Sequence, residues 1–259
     1  MIDDEAQRKL RLMGLGDVIE ILRVQNTSGE AVMSLPFDQR FEMIVDDVYE
    51  RKNNNKAETY RKNAKLRFPH ADIPGIYYDS KRRLNKMLIT NLATCNYIAD
   101  HKSIVIKGYT SSGKTYISCA FGREACMHLY RTRYYRVPDL LMDYSEIRDD
   151  KRKVKSYLTR LTNYNLLILD EWLTNAMTDD ELSFLFELFE RRYDCTSTIF
   201  CSLYDTSDWV ARLGGGTRAE SITERFVHNS YCIDTGDMNM RELYSTRDEK
   251  ASSGRKASA

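Results

Sequence analysis

The sequence predicts an α/β fold, a central parallel sheet flanked by helices, preceded by a small all-α N-terminal region. Three observations predict it. From about residue 102 onward, apolar runs that read as buried strands alternate with helical patterns. One run, Ile104 to Ile106, leads into Gly108-Tyr109-Thr110-Ser111-Ser112-Gly113-Lys114-Thr115, the G-x-x-x-x-G-K-[ST] pattern of a phosphate-binding loop. Another, Leu166-Leu167-Ile168-Leu169, ends in Asp170-Glu171, placing two carboxylates at the strand end where α/β sheets bind ligands.

In chain order, residues 5–25 carry Leu10, Leu12, Met13, Leu15, Val18, Ile21 and Leu22 at helical spacing, and Gly14 and Gly16 are placed to split them into two helices. Leu35-Pro36-Phe37-Asp38 opens a helix to about residue 52. Residues 68–75 hold two prolines and a glycine and read as an interdomain linker. Residues 80–100 read as a helix. Strands are expected at 102–107, 132–137, 165–170, 197–202 and near 230–235, with helices over 113–130, from Pro138 onward, and over 179–193. The domains expected are 1–75, a helical DNA- or partner-binding unit, and 76–244, the nucleotide-binding unit. Residues 245–259 read as a disordered tail.

Each residue type of the loop has a physical role. Gly108 and Gly113 allow a tight turn and close approach to an anion. Backbone N–H groups of Tyr109, Thr110, Ser111 and Ser112 form a nest for phosphate oxygens. The helix starting near Gly113 adds its positive end. Lys114 brings charge to the β- and γ-phosphates, and Thr115 offers a hydroxyl to Mg²⁺. Asp170 is the candidate to hold Mg²⁺, and Glu171 to orient and deprotonate the attacking water. ATP and Mg²⁺ are the expected cofactors.

The net charge of +1 excludes any whole-chain electrostatic argument for nucleic acid, so local clusters decide. Residues 51–67 hold Arg51, Lys52, Lys56, Arg61, Lys62, Lys65 and Arg67 against Glu58 alone. Lys151, Arg152, Lys153, Lys155 and Arg160 form a second cluster. Either is a solvated helix face or a track for DNA phosphates. Six scattered cysteines without a C-x-x-C pair, and four dispersed histidines, point to reduced thiols and no metal cluster. The acidic start has no apolar run behind it, and no segment nears ~18 apolar residues. Neither a secretory leader nor a membrane span is therefore expected, and the location expected is cytoplasmic.

Several segments resemble the IstB family, ATP-binding helpers of insertion-sequence transposases within the AAA+ group and similar to DnaC helicase loaders. The resemblance spans nearly the whole chain. It rests on Lys9-Leu10-Arg11-Leu12-Met13-Gly14-Leu15, on Leu35-Pro36-Phe37 leading to Asp47-Val48-Tyr49-Glu50-Arg51, and on the phosphate loop. It continues through Leu167-Ile168-Leu169-Asp170-Glu171-Trp172, Thr198-Ile199-Phe200-Cys201-Ser202 with Trp209, and Glu224-Arg225-Phe226-Val227-His228-Asn229, and ends at Met240-Arg241. It implies a P-loop AAA+ domain, with ATP held between subunits of a homo-oligomer assembled on double-stranded DNA. It also implies DNA-stimulated hydrolysis to ADP and phosphate, and a cognate transposase as partner. Arg225 matches the family's arginine that reaches a neighbour's site, and Arg241 the late arginine that senses nucleotide. The chain departs from the family at three places. Leu203 stands where a polar amide is usual, leaving Ser202 as the polar candidate. Trp172-Leu173 replaces an aromatic followed by glycine, and Asn239 holds a usual serine position.

The function expected is an ATP-dependent DNA-binding regulator of transposition that recruits or activates a transposase and is released by hydrolysis. A replicative helicase loader similar to DnaC is the alternative. A small-molecule P-loop kinase is the third reading, though no lid pattern beyond Arg225 supports it.

Overall fold

The computed structural model describes residues 2–243. These divide into two compact units that meet between Thr59 and Tyr60. The expected tail at 245–259 lies outside the described residues.

The first unit is helical: α1 (Asp4–Leu12), α2 (Gly16–Thr27), α3 (Glu30–Met33) and most of α4 (Phe37–Ala64). Asp3 caps α1 by accepting from the Ala6 amide at 2.7 Å. Gly14, with φ +68°, makes the break anticipated between α1 and α2. Ile19, Ile21 and Ile44 are buried, and the buried Gln25 side chain donates to the Arg40 carbonyl at 3.0 Å. Helix α4 runs past the expected end at 52, so the basic segment is helical through Ala64.

The second unit contains, among the described residues, a five-stranded all-parallel sheet: β1 (Ser103–Lys107), β2 (Thr132–Arg136), β3 (Leu166–Trp172), β4 (Ser197–Ser202) and β5 (Ser230–Asp234). The spatial order is β2-β3-β4-β1-β5. Alternation along the strands divides the core into two layers. Ile104, Ile106, Ile168, Ile199 and Cys201 face one layer with the helix α7 (Lys114–Met127) and residues 64–76. Val105, Leu167, Leu169 and Phe200 face the other. That layer is covered by α8 (Val137–Ser145), α9 (Lys151–Thr162), α10 (Asp179–Arg192), α11 (Trp209–Arg212) and α12 (Gly216–His228). Continuous apolar strands are what a sheet covered on both faces requires.

Two expectations differ. Ala64, Leu66, Ala71 and Ile76 are buried in the first layer, so 60–75 packs with the nucleotide-binding unit instead of linking to it. Residues 80–100 form α5 (Lys86–Leu92) and α6 (Asn96–Ala99), not one helix. Asn85 caps the start of α5 by accepting from the Leu88 amide at 3.1 Å, and Cys95, at φ +61°, turns the chain into α6. None of the helices among the described residues is long and apolar enough to cross a membrane.

Candidate nucleotide-binding site

The loop between β1 and α7 stands at the C-terminal edge of the sheet. Gly113 precedes α7 at φ +91°. Gly108 has φ +145°, and a Cβ there would lie 2.1 Å from Thr235 Oγ1. The chain after β5 closes over the loop: Ser112 Oγ and Thr235 Oγ1 are 2.5 Å apart, and the Met240 amide donates to the Ser111 carbonyl at 2.9 Å. From the other side, the buried Arg82 guanidinium donates to the Ser112 and Tyr77 carbonyls, both at 2.6 Å. The loop is thus held by two segments distant in sequence.

A cavity of about 580 Å³ opens beside it. Ser111, Ser112, Gly113, Lys114, Thr115 and Arg241 line it, while Gly108, Tyr109 and Thr110 form the loop's first half. Aromatic and apolar side chains of Phe68, Ile76, Tyr77, Tyr116 and Met240 supply walls of the kind a nucleobase packs against. The Lys114 ammonium donates to the Gly108 and Tyr109 carbonyls, each at 2.7 Å, and burial holds its pKa below the usual lysine value.

Thr115 Oγ1 donates to Asp170 Oδ2 at 2.7 Å, and the Tyr134 hydroxyl donates to the same oxygen at 2.8 Å. Hydroxyl and carboxylate oxygens at this separation are the hard donor set Mg²⁺ takes, so these residues fit the ion. The next residue, Glu171, has φ +60°, and the register of β3 against β4 shifts between Leu169 and Trp172. This turn separates the two carboxylates. Glu171 is gripped by Arg136, whose Nε and Nη2 donate to its two oxygens at 2.9 and 2.8 Å, while Arg67 Nη1 stands 3.7 Å away. The Arg136 hydrogen bonds hold the Glu171 pKa below the usual carboxylate range, and Glu171 in turn raises that of Arg136.

The remaining predicted residues fall elsewhere. Ser202 is buried, donating to the Trp172 carbonyl at 3.2 Å and accepting from the Tyr204 amide at 3.1 Å, and it does not line the cavity. Arg225 lies on α12 against Glu190 of α10 and over the Tyr193 ring, in a surface cleft apart from the loop. Arg67, expected to meet DNA, lines the nucleotide cavity. Arg51 pairs with Glu20 at 3.6 Å, Lys52 and Lys56 are exposed on α4, and Arg61 and Lys62 sit in its last turn before exposed Lys65. Lys151, Arg152, Lys153 and Lys155 are exposed on α9.

Sequence reasoning missed Arg82, Tyr134, Arg136 and Thr235. For Arg136 a signal existed, since it is a charged residue closing a predicted strand. Arg82 carries none, because its role comes from a fold-back onto Ser112.

Comparison with known proteins gives concordant findings. The family model for IstB-like ATP-binding proteins matches residues 6–248. An insertion sequence ATP-binding protein of Sinorhizobium fredii is 30% identical over 234 residues, covering 90% of this chain and 94% of that protein. The crystal structure of the DnaC helicase loader superposes with a TM-score of 0.57 at 17% identity, over 65% of this chain and 98% of that one. The replication initiator DnaA bound to AMPPCP and single-stranded DNA superposes with a TM-score of 0.55 at 20% identity, over 66% of this chain and 50% of that one. The second unit therefore has the P-loop AAA+ fold.

Proposed function

The chain belongs to the IstB-like ATP-binding protein family, and we propose that it is an ATP-dependent, DNA-binding regulator of DNA transposition. With ATP it assembles as a homo-oligomer on double-stranded DNA and recruits or activates a transposase. Hydrolysis to ADP and phosphate, stimulated by DNA, drives release.

The ATPase step is supported by the Thr115–Asp170 hydrogen bond, which joins the end of β3 to the loop that carries Lys114. The loop and the α7 N-terminus hold the phosphates, with Lys114 exchanging its loop carbonyls for phosphate oxygens. Thr115 and Asp170 would hold Mg²⁺, which would supply positive charge to the phosphates. Glu171 orients the attacking water and takes its proton. Arg241, on the cavity wall, senses nucleotide from within the subunit. Arg225, turned away from its own cavity, serves a neighbour's site, where an arginine stabilises charge on the transferring phosphoryl group. Ser202, the polar candidate on the sensor strand, has its hydroxyl bonded to the Trp172 carbonyl and the Tyr204 amide.

DNA binding is supported by the exposed cations of α4 and by Arg152 and Lys155 on α9, and transposition by the insertion-sequence relative. Because no base-reading motif accompanies them, the expected recognition is of backbone and shape. The DnaC likeness favours a second reading, a replicative helicase loader. Pull-down separates the two, since a helper retains its transposase and a loader a replicative helicase.

The test measures ATP hydrolysis and particle size together, with and without duplex DNA, for wild type and Glu171→Gln. Large particles that need both ATP and DNA, stabilised by Glu171→Gln while turnover stops, support the assembling switch. A protein that remains monomeric with both ligands overturns it.

A further inference from the structure

Two grooves meet at the start of the edge strand β2, at the opposite end of that strand from Arg136. The larger, about 580 Å³, runs along α9, with Arg152, Lys155 and Arg160 on the helix and Arg131 alongside. Its other lining side chains, Ser156, Thr159 and Asn163, are hydroxyls and an amide. The smaller, about 240 Å³, is lined by Tyr60, Asn63, Arg131, Thr132, Arg133 and Tyr164. Arg131 lines both, so the two adjoin there.

Five cations (Arg131, Arg133, Arg152, Lys155 and Arg160) line this surface, and no carboxylate does. Among the described residues, none of the five has a carboxylate within salt-bridge distance. Arg133 donates instead to the Asn63 carbonyl, and Arg160 lies over the Tyr157 ring. Some exposed cations on other helices are neutralised in place, as Lys9 is by Glu5 on α1 and Arg191 by Glu187 on α10. A solvated face of mixed charge would look like α1 or α10. The outer face of α9 instead concentrates unpaired positive charge, which repels itself unless an anion is present.

The layout selects the kind of anion. Arg152, Ser156 and Arg160 stand at i, i+4 and i+8, a row about 12 Å long at 1.5 Å per residue. Lys155, Thr159 and Asn163 form a parallel row. The inward face of the same helix, Tyr157, Leu158 and Leu161, is buried, so the rows are fixed in direction. A single phosphate would engage only a fraction of such a track, whereas a polyanion engages it throughout. Guanidinium, ammonium, hydroxyl and amide donors suit phosphate oxygens and read no base edge.

We propose that these adjoining grooves, which share Arg131, are where the phosphate backbone of duplex DNA lies on the nucleotide-binding unit. This rests on the DNA-binding function proposed above and assigns it a surface. It also separates residues that charge alone groups together. Arg131, Arg133 and Arg160 belong to the track. Lys151 and Lys153 do not line it, and Lys153 lies 3.9 Å from Asp150. The track shares no lining residue with the ATP cavity, so both ligands bind at once.

The experiment titrates a labelled duplex into full-length protein with ATP across a salt series, reading anisotropy. A triple variant, Arg131→Ala with Arg152→Ala and Arg160→Ala, is compared with a double variant, Lys151→Ala with Lys153→Ala. Binding of a fluorescent ATP analogue confirms that each variant keeps its fold. The triple variant is expected to lose at least roughly tenfold in affinity and to flatten the log–log salt slope by about 2–3. The double variant is expected to stay within about twofold of wild type. A triple variant that binds as wild type does, or a double variant that loses as much, overturns the surface while leaving DNA binding intact. Wild type that prefers a single strand overturns the duplex assignment. Wild type that binds no DNA at any salt removes the functional premise itself, a result distinct from the others.

Discussion

Arg136 closes both oxygens of Glu171 with two parallel hydrogen bonds, from the end of one strand to the end of its neighbour. A carboxylate held so has its lone pairs engaged and its basicity reduced, the reverse of what proton abstraction from water needs. Arg136→Ala is therefore expected to raise DNA-free hydrolysis about threefold or more, with ATP affinity unchanged. Steady-state phosphate release against nucleotide binding checks it. A fall in turnover at constant affinity would show instead that Arg136 holds Glu171 in its working position.

The same contact sets a pH dependence. Arg136 lowers the Glu171 pKa in the folded protein, so whatever stability the ion pair contributes is present above the ordinary carboxylate value. It is lost as pH falls through the lowered folded value. Carbon-detected NMR titration should show Glu171 protonating below the ordinary glutamate value in wild type. In Arg136→Ala its midpoint should move up toward that value. A midpoint that does not move would assign the shift to Arg67.

Arg67 is the clearest case where charge counting and folding part company. It ends a run of basic residues, yet Leu66 beside it is buried in the core and its own guanidinium faces the cavity with Lys114 and Thr115. Arg67→Ala is expected to weaken ATP binding by about five- to tenfold, and ADP binding less, on the scale of one charge-assisted hydrogen bond. Duplex affinity should stay within about twofold. Calorimetry with ATP and ADP, beside anisotropy with duplex, checks both halves. Unchanged nucleotide affinity with weakened DNA binding would return Arg67 to the DNA surface.

What the sequence makes legible here is local or periodic. Ile104–Ile106 and Leu166–Leu169 announce buried strands because both faces of the sheet are covered, and the glycines of the loop announce its turns. Strand neighbours are not local. That Arg136 meets Glu171, and Tyr134 meets Asp170, follows only from β2 lying beside β3, with Arg136 in register with Asp170. Nothing in the spacing of 134, 136, 170 and 171 encodes that adjacency. Arg82 is hidden for the same reason, and the 80–100 helical pattern conceals two caps, Asn85 and Cys95, that only backbone conformation reveals.

Gly108 admits no side chain. Its φ of +145° excludes ordinary L-residues, and a Cβ would meet Thr235 Oγ1 at 2.1 Å and the Gly236 carbonyl at 3.0 Å. Thr235 is buried and tied to both Ser112 and the Lys107 carbonyl, so it has nowhere to move. Gly108→Ala is expected to abolish ATP binding and to lower stability by roughly 2–3 kcal/mol, combining backbone strain with overpacking. Thermal unfolding and nucleotide titration check it. Adding Thr235→Ala should recover part of the stability but not the binding, since the strained φ remains. Full recovery of binding in the double variant would assign the whole defect to the Thr235 clash.

Arg225 makes its contacts with Glu190 and Tyr193, and no residue of its cleft lines the nucleotide cavity. A residue that serves catalysis from there must do so in another subunit, which a mixing experiment reads directly. Lys114→Ala lacks a working loop but keeps Arg225, and Arg225→Ala keeps a working loop but lacks the arginine. Each alone should lose about two or more orders of magnitude in hydrolysis. Mixed in equal amounts with DNA, they form some interfaces that pair an intact loop with an intact Arg225, and turnover should reappear there. A mixture as inactive as its components, with particles of wild-type size, would place the Arg225 effect within its own chain. The Glu190 ion pair would then be its whole role, and an Arg225→Lys variant that keeps this pair would retain wild-type turnover.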